Sequence, residues 1–353
     1  LFTTEAENRR KGNSRVKKNS SLTAVVIGAS GYAGSELCRL VARHPLLTLA
    51  GCFVSEGSVD AGTKLSVLYP KLRGVVDLPL QGLDSLSLKQ IKATAQVVFI
   101  ATEHEAAAQL AYQLYDNKRI IIDLSGAHRL AEAQDYVTHY GFSHPHPQLL
   151  SEAVYGLAEW HNGLLANANL IAVPGCYPTA TLLALKPVQH LLASQPVIVN
   201  AVSGVTGAGR KPTHKTLGAE LSLQGYGVFN HRHQPEIEQH GQTAVVFTPH
   251  LGAFKRGILA TLYLQLAEGT SCQDVAEAYA VYQKHPCVRV GYQHTPAIQD
   301  VEHSGYCDIG WHRKGTQLIV FAAIDNLLKG AASQALQCLN LRLGEPQTTG
   351  VPL

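Results

Sequence analysis

The 353-residue chain contains no methionine, an oddity of composition from which nothing functional follows. More telling is the lack of any apolar stretch approaching the ~20 residues that a membrane-spanning helix needs. No membrane partner is expected. Charge of one sign is scarce as well: the net +3 would vanish without the basic N-terminus, which argues against nucleic acid as a partner. The seven cysteines include no Cys-x-x-Cys pair, and an odd set of thiols reads as a reduced, cytoplasmic protein. Internal repeats, low-complexity tracts and a secretory apolar core are also missing.

What is present fits a globular protein of two domains. Hydrophobic residues make up 46% and charged residues 16%, and the length exceeds one ordinary core. Residues 1–21, rich in Arg, Lys, Asn and Ser without hydrophobic periodicity, read as a flexible basic tail. Glu5 and Glu7 break the acid-poor pattern of a transit peptide.

One stretch organises the rest. The apolar run Asn169 to Val173 reads as a strand, Ala180 to Leu185 as a helix, and Pro174-Gly175-Cys176-Tyr177-Pro178-Thr179 joins them. Cys176 then lies at a helix N-terminus, where free N–H groups and the dipole favour a thiolate and can hold an oxyanion. Cys272, also near a helix start, is the competing cysteine, but it lacks this strand-to-turn entry.

The N-terminal half alternates strand and helix, the pattern of a doubly wound parallel sheet. Thr23 to Ile27 is a buried strand, followed by Gly28-Ala29-Ser30-Gly31-Tyr32-Ala33-Gly34 and a helix ending at His44-Pro45. Strand, glycine turn and helix set a dinucleotide pyrophosphate on a helix N-terminus. Gly28, Ser30, Gly31, Tyr32, Ala33 and Gly34 are therefore candidate cofactor contacts. The second strand ends at Ser55 without an acid at its tip, leaving room for a 2′-phosphate, so NADP is favoured, while Glu56 one residue later keeps NAD open. Thr102, expected to form a capping box with Glu105, and Ser125 follow later strands and join the cofactor set. After Cys176, strands adjoin strands, so a second domain with a mixed or antiparallel sheet is expected.

That half also supplies chemical partners. His231-Arg232-His233-Gln234-Pro235-Glu236-Ile237 puts two imidazoles just before a helix start, and either one can act as an acid-base. His-x-His pairs here and at His144 and His146 lack companion ligands at metal-binding spacing, so no metal is expected. Ser203, Arg210, Lys211 and Arg256 are candidates for substrate or phosphate.

Taken together, the glycine turn, the Val173 to Thr179 segment, Ser203 to Lys211, His231 to Ile237 and Asp325-Asn326-Leu327-Leu328-Lys329-Gly330-Ala331-Ala332 resemble the N-acetyl-gamma-glutamyl-phosphate reductases of arginine biosynthesis. The likeness runs from about Leu22 to Leu343, and the glycine turn alone is shared with aspartate-semialdehyde dehydrogenases. The resemblance implies an NADP-binding domain over 22–174 completed by 326–353, and a catalytic, substrate and dimerisation domain over 175–325. It implies NADPH-dependent reduction of N-acetyl-glutamyl phosphate, with Cys176 as nucleophile and His233, or else His231, as acid-base. Asn326 would lie near the nicotinamide, and the protein would be a homo-oligomer, a dimer or tetramer. Rival readings are an aspartate- or aminoadipate-type semialdehyde dehydrogenase, and a non-catalytic NADP-sensing regulator with no use for a reactive cysteine.

Overall fold

A computed structural model describes residues 21–211 and 218–353, so all of the basic tail except Ser21 lies outside the described residues. The first sheet holds β1 (Leu22–Ile27), β2 (Leu47–Ser55), β3 (Leu80–Leu83), β4 (Val97–Ile100), β5 (Ile120–Asp123), β6 (Ala153–Tyr155) and β7 (Leu170–Ala172). Their order is β3-β2-β1-β4-β5-β7-β6, and every pairing is parallel. β4 and β5 are buried at every residue, as strands covered on both faces must be. The chain reverses direction across the sheet between β1 and β4. Such switch points open a crevice at the carboxyl ends of the strands, where ligands of doubly wound sheets bind.

The second sheet holds β8 (Val197–Gly204), β9 (Gln224–Gly225), β10 (Val245–Gly252), β11 (Ile258–Gln265), β12 (Val288–Tyr292), β13 (Cys307–Lys314) and β14 (Gln317–Ile324). In the order β12-β13-β14-β11-β8-β10-β9 it is mixed: β8–β10 and β12–β13 are parallel, and the other pairs antiparallel. β8, β10 and β11 alternate between buried and partly exposed residues, so one face is packed and the other open.

Four helices matter for the site: α1 (Tyr32–Arg43), α2 (Cys176–Leu185), α3 (His233–Gly241) and α4 (Ser333–Leu343). All of α2 beyond Cys176 is buried. A helix apolar on all sides belongs in a core, and Leu182, Leu183 and Leu185 pack with the second sheet. Helix α4 instead returns to the first sheet, where Leu336 and Leu339 share a core with Val26 and Leu37.

Several sequence expectations need correction. The Thr102–Glu105 capping box does not form: the helix His104–Leu114 has Glu103 at its N-cap and no side-chain cap. A single last helix from Asn326 is replaced by a π-helical turn, Leu328–Ala332, followed by α4, which ends at Gly344 in the left-handed region. Four strands escaped the pattern reading: β3, β6, β9 and β13.

Candidate active site

The glycine turn leaves β1 for α1 at the switch point. Gly28 has φ +87°, and a Cβ there would lie 2.2 Å from the Ala101 carbonyl at the end of β4. A Cβ on Gly34 would meet the Gly28 carbonyl at the same distance. Only glycine fits either position. Helix α1 begins at Tyr32 with no side-chain cap and no acid in its first turn, so its N–H groups stay free for an anion. Ser30, Gly31, Tyr32 and Ala33 are half-buried around this opening. Thr102 joins them, its amide 3.2 Å from the Gly28 Cβ position, and Ser55 lies exposed at the tip of β2. Ser125 is buried beyond β5, where its hydroxyl accepts from Ala127 N–H at 3.0 Å. These residues suit a dinucleotide.

Cys176 is the first residue of α2, directly after Gly175 at the N-cap. With Tyr177, Ser203, His231, Arg232 and His233 it lines a cavity of about 380 Å³. His233 is the first residue of α3 and presses on the same turn: a Cβ on Gly175 would lie 2.6 Å from its Nε2 and 2.9 Å from Arg129 Nη1. From the far side, Gly330 of the π-helical turn approaches so closely that its Cβ would stand 2.8 Å from Cys176 Cβ. The Cys176 turn is thus packed closely at two glycines, Gly175 against His233 and Gly330 against the Cys176 backbone and Cβ.

The protonation states differ from expectation. Burial raises the Cys176 thiol above its usual range, and the Arg129 guanidinium and Tyr177 N–H only partly oppose it. Burial also drives His233 well below its ordinary value, helped by His231, Arg129 and Arg232. His231 is lowered to about 4 by burial and Arg232. Both shifts disfavour a resting thiolate–imidazolium pair. Burial favours the thiol and the neutral imidazoles here.

Around this centre the chain is tied together by buried charge. The Glu236 carboxylate accepts from Gly175 N–H and Tyr155 Oη, each at 2.8 Å, and from Arg129 Nη1 at 3.3 Å. Glu236 stands in the sequence only as part of the His231 to Ile237 segment, and Arg129, four residues after Ser125, carries no signal of its own. Arg256, expected to meet a substrate anion, is instead committed to the protein: it donates to Glu36 at 2.8 Å and Asp325 at 2.5 Å. Burial opposes ionisation of Glu36, but Arg256, Lys71 and Arg39 hold it at about 2. Arg210 is paired with Asp60 across the two halves, and Lys211 stands exposed, 3.9 Å from Glu103. Ser203 Oγ stays at the cavity, donating to the Gly204 carbonyl at 3.0 Å. Asn326 accepts from Gly257 N–H at 2.7 Å and donates to Thr206 at 3.0 Å, holding the loop beside Ser203. Cys272 lies outside this cavity, at the start of a helix with a Ser271–Asp274 capping box. Among the described residues, no His, Cys, Asp and Glu side chains gather in a group able to hold a metal.

Comparison with known proteins decides the family. The semialdehyde dehydrogenase NAD binding domain matches residues 23–168, and the semialdehyde dehydrogenase dimerisation domain matches 176–326. An N-acetyl-gamma-glutamyl-phosphate reductase from Idiomarina loihiensis is 54% identical over 92% of this chain and 96% of its own length. The chain belongs to the N-acetyl-gamma-glutamyl-phosphate reductases. A family member from Aeromonas salmonicida is 50% identical over 94% of this chain and 99% of its own. In fold, this reductase is similar to aspartate semialdehyde dehydrogenase II from Vibrio cholerae. There the TM-score is 0.69 at 15% identity, covering 92% of this chain and 99% of that one. Aspartate semialdehyde dehydrogenase with NADP from Candida albicans gives 0.66 at 13%, covering 91% and 98%.

Proposed function

We propose that this chain reduces N-acetyl-L-glutamyl 5-phosphate to N-acetyl-L-glutamate 5-semialdehyde, releasing phosphate, with NADPH as reductant and Cys176 as nucleophile. The observation that carries this reading is the placing of Cys176 at a helix N-terminus, with His233 against the same turn, inside a cavity that also presents Arg232.

Because burial raises the thiol and lowers His233, His233 takes the proton as the sulfur attacks the acyl carbon, rather than beforehand. The N–H groups opening α2 are placed to receive the oxyanion, which collapses to a Cys176 thioester as phosphate leaves. Arg232, exposed at the cavity, offers a cation to the departing phosphate. NADPH, when bound, supplies the hydride that reduces the thioester. His233, now carrying a proton, returns it as the aldehyde and Cys176 separate. The turn from Gly28 to Gly34 and the start of α1 would hold the pyrophosphate, with Ser55 at the ribose end.

The domain division we propose follows the chain: 22–174 with 326–353 hold NADP, and 175–325 provide catalysis and assembly. The open face of the second sheet, where Ile198 and Tyr263 are nearly half exposed on paired strands, suits a second copy of this chain. That makes the protein a homo-oligomer. A cytoplasmic location is part of the same reading, since all seven cysteines are free. The test is phosphate-dependent NADP reduction with N-acetyl-glutamate semialdehyde, run beside aspartate semialdehyde. Cys176→Ala should abolish the rate and leave the melting temperature unchanged. A preference for aspartate semialdehyde, or an active Cys176→Ala, would refute the proposal.

A further inference from the structure

We propose that Glu236 is the positioning residue that holds the Cys176 turn against His233, acting through the Gly175 N–H and Arg129. The inference rests on the role proposed above for Cys176 and names what fixes its geometry.

Nothing local orients the base. Among the described residues His233 Nδ1 is buried without a hydrogen-bond partner, whereas a catalytic imidazole is ordinarily held through that nitrogen by a third group. The direction of the ring is therefore set by how α3 docks. His233 and Glu236 are three residues apart on α3 and share one face. That face meets the Gly175–Cys176 turn, His233 by packing and Glu236 by hydrogen bonding.

The contacts close into a ring. Arg129 Nε donates to the Val173 carbonyl at 2.8 Å, Arg129 Nη1 to Glu236, and Gly175 N–H to Glu236. Pro174 has no N–H, so Gly175 carries the only backbone donor between Val173 and Cys176. Glu236 takes it. The turn is thus clamped on both sides of the proline, and the clamp is built on the helix that bears the base. Tyr155 Oη fills the remaining acceptor position on Glu236 Oε1, so the fully buried carboxylate is satisfied from three elements.

Charge gives this arrangement a signature that a purely structural residue would lack. The groups facing Cys176 are Arg129, Glu236, Arg232 and Tyr177, with His231 and His233 neutral beside them. Tyr140 and Asp123 lie beyond Arg129. Glu236 opposes the thiolate, and Arg129 favours it. Exchanging the carboxylate for an amide of the same shape leaves Arg129 uncompensated.

The experiment compares Glu236→Gln and Glu236→Asp in the full chain, with Cys176→Ala as the blank for the other six thiols. Turnover and the pH dependence of Cys176 alkylation by iodoacetamide are measured. In Glu236→Gln, kcat should fall roughly 10- to 100-fold with KM little changed, because the base is misplaced. Alkylation at pH 7 should nevertheless accelerate, by about tenfold for each unit by which the thiol midpoint falls. Glu236→Asp keeps the charge but is too short to reach Gly175, so turnover should fall while the alkylation midpoint stays. Turnover of Glu236→Gln within threefold of wild type, or an alkylation midpoint that stays or rises, overturns the proposal. Should neither variant fold, Tyr155→Phe carries the test: it removes one of three bonds and should lower kcat several-fold, and unchanged kcat overturns the proposal. The alkylation measurement needs no acyl phosphate, so failure of the reductase reading and failure of the Glu236 link are distinguishable.

Discussion

Gly175→Ala is the sharpest perturbation the site allows. The backbone there has φ −61° and ψ 155°, a conformation any residue adopts, so the substitution adds no strain of its own. Its whole effect is one methyl group, which would stand 2.6 Å from His233 Nε2 and 2.9 Å from Arg129 Nη1. Neither neighbour is the loose end of a surface chain: both are buried, and Arg129 is held by Val173, Leu124 and Glu236. The imidazole must retreat by the better part of an ångström to restore ordinary contact. A misplacement of that size can cost about 10²-fold in rate, equivalent to roughly 2.7 kcal/mol of barrier. Overpacking a buried site typically costs about 1–3 kcal/mol of stability, which a well-folded protein survives. The assay is the initial rate of phosphate-dependent NADP reduction, with thermal melting to establish that the variant is folded. Gly163→Ala is the control, since its methyl would meet nothing within 4 Å. A folded Gly175→Ala enzyme working within threefold of wild type would refute the contact between His233 and the turn as a determinant of catalysis.

Other expected outcomes follow from the same geometry. His233→Asn should lower turnover by about 10²–10⁴-fold, yet leave Cys176 alkylation at pH 7 nearly unchanged, because the ring lost is already neutral. A marked slowing of alkylation would restore the resting ion pair. His231→Asn should cost less. NADPH should bind more tightly than NADH in a fluorescence titration, since β2 ends at Ser55; equal affinities would mean that Glu56 grips the ribose. Stability should fall with acid in a pH series of chemical denaturation. His104 is lowered to about 3, and His144, His231 and His240 to about 4, in each case chiefly by burial. Their depressed values mean that the unfolded chain binds protons first. The stability they contribute is complete above pH 6.5 and is lost as pH drops toward 4, and for His104 toward 3, by less than about 1.4 kcal/mol per pH unit for each of these mostly half-buried rings. A flat profile between pH 6.5 and 4.5 would contradict the burial of these rings.

The parts of this fold that could be read in the sequence are those whose cause is local. Gly28 and Gly34 announce a turn because no other residue fits, and the apolar runs Ala24 to Ile27 of β1 and Val97 to Ile100 of β4 announce a buried sheet. Cys176 was legible because Pro174-Gly175 breaks a strand just ahead of a helix. Where the cause lies across the molecule, the reading failed. Arg256 resembles a free cation in sequence, but one of its partners, Glu36, lies 220 residues away. The helix dipole that favours a thiolate is opposed by burial of Cys176, which depends on how α3 and the π-helical turn pack around its turn. Strand β13 hid because its first five residues are all buried, Asp308 among them, so no alternation marked it. Arg289 pairs with that aspartate from the neighbouring strand.

The turn Leu328–Ala332 also bears on the order in which the protein is made. Gly330 closes one side of Cys176 from a position 154 residues later in the chain. Beside it, Lys329 is fully buried against Glu159 at 2.5 Å and Gln337 at 2.6 Å, a pairing that neither half can form alone. During synthesis Cys176, the glycine turn and His233 all precede this segment. A nascent chain stopped before Asp325 therefore owns every reacting group and an unfinished first-sheet core, with the sites for Leu336 and Leu339 vacant. Such contacts between distant residues close late. The π-helical turn and the last helix therefore complete the wall of the Cys176 turn and the first-sheet core, and a chain interrupted before them leaves that turn uncovered on one side.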